Sequence, residues 1–495
     1  MGANPNPARA WAITIALAVA VILAGCTPAA PSPSASPTAA PRPFTLLVTG
    51  TIGTLDPAFA VSRTDSILVT TVFQRLMQVL PNGNLKPDAA QDCVFTSRMV
   101  YECTLPAALK FTNGEPVTSA DVKFSLQRAL RLRVPGTSVH LLDSVSRIET
   151  PNLQTVRFVL SREDNQFGYA LSSQAASIVN QHTFDPDAQL PLGTLPVGSG
   201  PLQLTTLTEH SADLTRYEDY TGPTRALLPA VRVSVAADSV AAEAAINAGE
   251  VDAAWACLDA SAQARVDNEI SAHGGTTEKG FTRIGLQGVK VTRLYWNPKS
   301  TFRSHKDVRA AVAKALQADR SLDSVVPIGV PDRVSAFPVG GRPKLPALKG
   351  ARRNLSLGYD PADPTSADVA RLLRDRLEDL DGVSVRLTTD PSADLLLTTA
   401  PGWINNALGW LQLYLGSPLG SSKVKLAELE AHARMTTGTA RGADLSELQL
   451  QAATDLTVLP VSQGPEFLLV GPGYQMANGN FGSGEQLGLW GFTRG

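Results

Sequence analysis

Two runs of this chain read as strand, helix, strand, and they limit the fold more than any other feature. In the first, Val231–Val235 alternates like a strand. Asp238 can cap a helix running to Ala248, Gly249 can end it, and Val251–Trp255 supplies the next strand. In the second, Leu355–Tyr359 is a strand and Pro364 stands near a helix start. Val369, Leu372, Leu373, Leu377 and Leu380 form that helix's apolar face, Gly382 ends it, and Val383–Leu387 and Asp394–Thr399 are strands. Each run is a βαβ unit. Together they predict an α/β chain with two separate cores.

Size and composition agree. The chain has 495 residues, 43% hydrophobic and 18% charged, enough for about three domain-sized units and a large core. Its net charge of −2 gives no electrostatic footprint for nucleic acid or an acidic membrane surface. Arg9 is the only charge before an apolar run from Trp11 to Gly25, which suits a signal-peptide core better than a transmembrane helix. The run ends in Leu23-Ala24-Gly25-Cys26. This resembles a bacterial lipobox, which implies a cleaved signal peptide over residues 1–25 and lipid attachment at Cys26. Residues 26–43 are rich in Pro, Ala and Ser, cannot build a core, and read as a tether.

Three further cysteines remain. Cys93–Thr96 and Val100–Cys103 read as paired strands around Ser97-Arg98-Met99. A three-residue loop centred on Arg98 sets 96 opposite 100, 95 opposite 101 and 93 opposite 103, so a Cys93–Cys103 disulfide is expected in an export compartment. Cys257 is then a lone buried thiol.

Residues 111–128, Phe-Thr-Asn-Gly-Glu-Pro-Val-Thr-Ser-Ala-Asp-Val-Lys-Phe-Ser-Leu-Gln-Arg, form a turn at Asn113-Gly114 and a helix capped by Thr118 with Asp121. Val122, Leu126, Ala129 and Leu130 share one face of it. This stretch resembles the signature of the extracytoplasmic solute-binding proteins of family 5, which serve ABC importers of peptides and nickel. Thr54-Leu55-Asp56-Pro57 resembles the family's Leu-Asp-Pro loop, Gly198-Ser199-Gly200-Pro201-Leu202 its Gly-Thr-Gly-Pro-Tyr element, and Tyr217–Gly222 its Asn-Pro-x-Tyr-Trp-Gly without the Trp. Ala245–Asp252 resembles its Ala-Leu-x-x-Gly-Glu-Val-Asp. Arg293–Asn297 resembles the crossover strand, and Val308, Arg309, Ala311, Ala315 and Arg320 the helix that follows. The family usually carries Trp near position 93, where this chain has Cys.

The resemblance implies a two-lobed, periplasmic-binding-protein-like α/β fold of the class II (cluster C) type, with an extra α+β subdomain in lobe I. The expected division is lobe I over 44–290 with its subdomain at about 80–190, lobe II over 291–462, and a C-terminal return to lobe I over 463–495. Local readings add a first strand at Phe44–Val48 and a helix from Ser66 to Leu80 with Val69, Phe73, Leu76 and Leu80 on one face. They also pair strands Val145–Ile148 and Val156–Leu160, and cap a helix with Ser304 and Asp307.

Signals of catalysis do not emerge. No Gly-x-Ser-x-Gly elbow is present, none of the six His stands three or four residues from another, and Gly471–Met476 fails the dinucleotide fingerprint at its third glycine. Neither metal nor cofactor is expected. A cleft between lobes needs apolar walls and a few placed polar groups. Candidates at strand ends are Phe59, Trp255 and Trp296, with Arg333 either a carboxylate anchor or a surface residue. In lobe II, Trp403, Asn405, Trp410 and Tyr414 lie where peptide-binding relatives place an acid that pairs with the ligand's ammonium. This chain has no acid between Asp394 and Glu428. Trp403 and Tyr414 read equally as an aromatic cleft wall or as core packing at helical spacing.

These features point to a monomeric substrate-binding lipoprotein on the outer face of the cell membrane. It would capture a peptide or peptide-like solute and deliver it to ABC permease subunits with a separate ATPase. A ligand-sensing or surface-interaction lipoprotein on the same scaffold is the alternative, and a hydrolase stands behind that.

Overall fold

The computed structural model describes residues 42–80, 83–348, 350–399, 406–477 and 487–495. The signal segment, Cys26, most of the tether, Trp403 and Asn405 lie outside the described residues. Pro43–Gly495 forms one compact unit. Among the described residues, no helix is long and apolar enough to cross a membrane.

Strand β1 (Phe44–Thr49) leads to helix α1 (Arg63–Val72), whose Ser62 cap accepts the Asp65 N–H at 3.0 Å. The apolar spacing predicts this helix to Leu80, but it stops at an extended Phe73. The buried Asp88 carboxylate draws the chain away, accepting the Arg75 N–H at 3.0 Å and the Gln74 side-chain amide at 3.1 Å. Residues beyond Leu76 pair instead, as β2 (Met77–Val79) with β3 (Leu85–Pro87). The spacing that looked helical still buries Leu76, by another route.

The subdomain follows: β4 (Asp92–Ser97), β5 (Val100–Thr104), α2 (Ser119–Leu132), β6 (Val145–Asn152), β7 (Thr155–Leu160) and α3 (Phe167–Ala170). Its sheet has the order β4-β5-β7-β6. Cys93 faces Cys103 and the two are joined, as expected. The turn is tighter than the sequence suggests: Ser97 pairs with Val100, and a bulge absorbs Thr96. Val122, Leu126 and Ala129 of α2 share one buried core with Phe158 and Phe167.

Lobe I continues through β8 (Leu202–Leu207), β9 (Ser211–Arg216), β10 (Ala230–Ala236), α4 (Ser239–Ala248), β11 (Ala253–Trp255) and α5 (Ala260–Ala272). Asp238 caps α4 through the Ala241 N–H at 2.8 Å, and Gly249 ends it at φ +71°. Strands β10 and β11 both run parallel to β1 and flank it. Period-two alternation then sorts side chains to two faces. Leu46, Val48 and Trp255 meet α1, while Leu47 and Ala254 meet α4 and α5.

Strand β12 (Thr282–Trp296) carries the chain into lobe II, which holds α6 (Lys306–Ala315), β13 (Arg353–Gly358), α7 (Ser366–Glu378), β14 (Val383–Thr388), β15 (Leu395–Thr398), α8 (Ala407–Leu415), α9 (Lys423–Met435) and α10 (Gly438–Asp455). Strand β16 (Val458–Val470) returns, and β17 (Tyr474–Met476) pairs with β18 (Phe492–Arg494). Ser304 does not cap α6: His305 holds the N-cap position, and Ser304 bonds back to the Thr301 carbonyl at 3.0 Å. Leu372 of α7 is exposed, because Ala370, Leu373 and Leu377 already cover the sheet.

One ten-stranded sheet, β14-β13-β15-β12-β16-β11-β1-β10-β9-β8, runs through both lobes. The antiparallel pair β12 and β16 is its crossover. The ladder breaks register between Gly285 and Val289, where one half ends beside lobe I and the other begins beside lobe II.

The stretch 111–128 is the junction of lobe I. Arg128 is bidentate to Asp56 at 2.8 and 2.6 Å, with side chains 2% and 0% exposed, and also donates to the carbonyls of Asp185 and Ala188. The Tyr217 hydroxyl donates to the Phe111 carbonyl at 2.8 Å, and the Thr112 N–H to the Gly198 carbonyl at 2.8 Å. The Gly200 N–H bonds Val72 O at 2.8 Å. A Cβ at Gly198 or Gly200 would fall 2.1 or 2.2 Å from the backbone oxygens of Val72 and Thr71, so both positions need glycine for close approach.

Candidate functional site

The end of β11 and the start of α7 face each other beside the crossover strands. Between them is a cavity of about 250 Å³. Lobe I contributes Arg63 at the first position of α1, the chain from Ala256 to Leu258 past β11, and Gln263, Val266 and Asp267 of α5. Lobe II contributes Asp363, Pro364, Thr365 and Val369. The crossover strands give Arg283, Lys290, Thr292, Ser462, Glu466 and Phe467. Strand ends opening on a crevice are where α/β sheets place ligands.

The polar centre of this cavity is Asp363. Lys290 Nζ lies 2.8 Å from its carboxylate, the Thr365 hydroxyl donates at 2.8 Å and the Thr399 hydroxyl at 2.9 Å. Burial pushes this carboxyl up, but the Lys290 ammonium, the Lys290 and Thr365 hydrogen bonds and the Arg63 charge outweigh burial and hold it at about 2. On the other side, Arg283 pairs with Asp267 and its guanidinium lies 3.3 Å from the centre of the Phe467 ring. Arg63 lies 5.2 Å over the Trp255 ring. Cys257 is buried on the wall, and burial pushes its thiol up to about 12, so it is an inert apolar surface at neutral pH.

A second cavity of about 190 Å³ shares Arg63 and Asp363 with the first. Hydroxyl side chains dominate its lining: Thr49, Thr51, Ser62 and Thr64 from lobe I, Ser366, Thr398 and Thr399 from lobe II. The Thr49 hydroxyl reaches the Ala362 carbonyl at 3.3 Å, so the lobes touch at this rim.

The residues singled out from sequence fall mostly elsewhere. Trp255 lies in the lobe I core, beneath Arg63 at the cavity edge. Phe59 is half-buried in the turn after Asp56. Trp296, Trp410 and Tyr414 pack in the lobe II core, with the Tyr414 hydroxyl donating to Asp455 at 2.7 Å and the Arg293 guanidinium 5.2 Å from the Trp410 ring. Arg333 pairs with Asp323 and the Val326 carbonyl. Among these described residues, none lines either cavity. The cavity residues Arg63, Lys290 and Asp363 were not singled out. The usable signals were Ser62-Arg63 and Asp363-Pro364-Thr365 at two helix starts, both ending loops that follow strands. Their meeting place depends on a register that sequence does not specify.

The chain matches the family described as bacterial extracellular solute-binding proteins, family 5 Middle, over residues 84–363, more than half its length. It is 26% identical to the "Probable D,D-dipeptide-binding periplasmic protein DdpA" of Escherichia coli K12 over 273 residues, 52% of this chain and 50% of that one. A further relative, the E. coli K12 "Probable ABC transporter periplasmic-binding protein SapA", is 25% identical over 62% of this chain and 59% of its own. The chain thus spans about half the length of the curated relatives it matches. Among solved structures it resembles the binding protein AgaA of A. tumefaciens R10 in complex with agropinic acid, with a TM-score of 0.75 at 19% identity, covering 92% of this chain and 98% of that one. At that identity the likeness speaks to the fold, a two-lobed α/β binding-protein architecture. The protein belongs to the bacterial extracellular solute-binding proteins of family 5.

Proposed function

We propose that this protein is the substrate-binding lipoprotein of an ABC importer, monomeric and anchored at Cys26 to the outer face of the cell membrane. It captures a peptide or peptide-like solute between its lobes and passes it to permease subunits driven by a separate ATPase. The observation that carries this reading is the cavity walled by both lobes beside the β12–β16 crossover. Its ionic lining is balanced, with Arg63, Arg283 and Lys290 against Asp267, Asp363 and Glu466. A zwitterionic or uncharged solute enters such a site without leaving a buried charge uncompensated. Trp403 and Asn405 stand a few residues beyond Thr399 in sequence and remain candidate contacts.

Delivery needs no covalent step. Contacts to both lobes shift the population toward closure, and the permease receives the solute when the lobes part. Native mass spectrometry of the purified protein should show one carried small molecule. Asp363→Asn and Lys290→Met should each weaken its binding about tenfold, or about 1.4 kcal/mol. A protein that carries nothing, and whose melting temperature is unmoved by a dipeptide library, would contradict the reading.

A further inference from the structure

The lobes also meet at a second place, a seam between the subdomain and lobe II. The segment Asp164-Asn165-Gln166, just before α3, lies against Asn406 and the α9–α10 turn. Arg434 Nη1 is 3.2 Å from Asp164 Oδ1, with side chains 7% and 1% exposed, and Glu430 steadies the same guanidinium at 3.0 Å. The Asn165 N–H donates to the Arg434 carbonyl at 2.8 Å, and its side-chain amide to the Thr436 carbonyl. The Gln166 side-chain oxygen accepts from the Asn406 amide and from Arg441, each at 3.0 Å. The void left in the seam is about 10 Å³, room for one water at most.

Resting on the reading of the protein as a two-lobed solute binder, we propose that this seam is a latch: a set of contacts outside the Arg63–Asp363 cavities that sets how much of the population is closed. Three observations support it. The partners are about 270 residues apart and belong to bodies joined by the crossover strands, so parting the lobes must break them. None of the seam residues named lines the Arg63–Asp363 cavities. The chemistry also suits repeated opening. A buried ion pair regains in water most of what it loses on separation, so its net hold is small and reversible, unlike an apolar seam of equal area. A backbone-to-backbone bond and a doubly served Gln166 oxygen fix the register at which the lobes close.

The latch predicts that weakening the seam opens the protein whether or not a solute is present. Single-molecule energy transfer between dyes at Arg162→Cys and Val424→Cys, both exposed positions on either side of the seam, reads this directly. Buried Cys257 does not compete for label. In ligand-free protein, Arg434→Met should raise the open-to-closed ratio about tenfold, and Gln166→Ala severalfold. Gln166→Ala leaves the ion pair intact and serves if Arg434→Met does not fold, with circular dichroism checking each variant. Unchanged transfer distributions in a folded variant would overturn the latch. No ligand enters the measurement, so its failure is distinct from a failure to find a captured solute.

Discussion

Asp56 and Arg128 show what single residues do in this protein. The loop carboxylate and the helix guanidinium are both sealed from solvent, and their remaining hydrogen-bonding capacity is taken by the Leu190 and Ala58 N–H groups and by two carbonyls. Removing one partner strands the other in a dry site. Arg128→Ala should therefore lower the unfolding free energy by about 3–5 kcal/mol, read by urea denaturation. A loss under about 1 kcal/mol would mean the Asp56 loop is held by other means. Asp363 carries a different signature. Its carboxyl is held at about 2 in the folded protein against 3.8 for a free side chain, so its contribution is complete above about pH 4 and is lost as pH falls through about 2. Asp363→Asn should cost about 2 kcal/mol at neutral pH, and the gap from the unmodified protein should narrow as pH falls from about 4 toward 2. A gap independent of pH would show that the Lys290 pairing is not its source.

At the scale of elements, the two glycines before β8 let the chain pack directly on the end of α1. Gly198 and Gly200 press against the last carbonyls of that helix, and Thr112 of the 111–128 stretch bonds over them. Gly198→Ala forces backbone apart and should cost about 1–3 kcal/mol, lowering the melting temperature measurably. An unchanged melting temperature would mean that the strand entry can shift freely. Much at this scale was legible in the sequence. The Asp238 and Thr118 caps and the Cys93–Cys103 pairing rest on neighbours within a dozen residues, where local chemistry is complete, and both βαβ runs announce themselves by period and caps although their strands pair at longer range. What misled was spacing without partners. Val69, Phe73 and Leu76 fit one helical face, yet Asp88, a dozen residues beyond, captures Gln74 and Arg75 and turns the chain into a strand. Trp410 and Tyr414 carry the same lesson, since helical spacing cannot say whether a helix face meets a cleft or a core.

At the scale of the molecule, the site is made by register rather than by motif. Arg63, Lys290 and Asp363 are spread over 300 residues and converge where the loops after β1 and β13 meet the middle of crossover strand β12. The most specific family motif, 111–128, sits in the lobe I junction and reports the scaffold, as the other motifs do, which is why family and fold are legible in the sequence and the cavity is not. Two lobes, a register break in the paired strands between them and contacts between the lobes at Thr49–Ala362 and Asp164–Arg434 fit the proposed closure over a solute. Small-angle scattering before and after adding the solute found by native mass spectrometry tests this most directly. A fall in radius of gyration on binding, needing about tenfold more solute in Asp363→Asn, is the predicted result. A solute that binds with no change in compactness would contradict it.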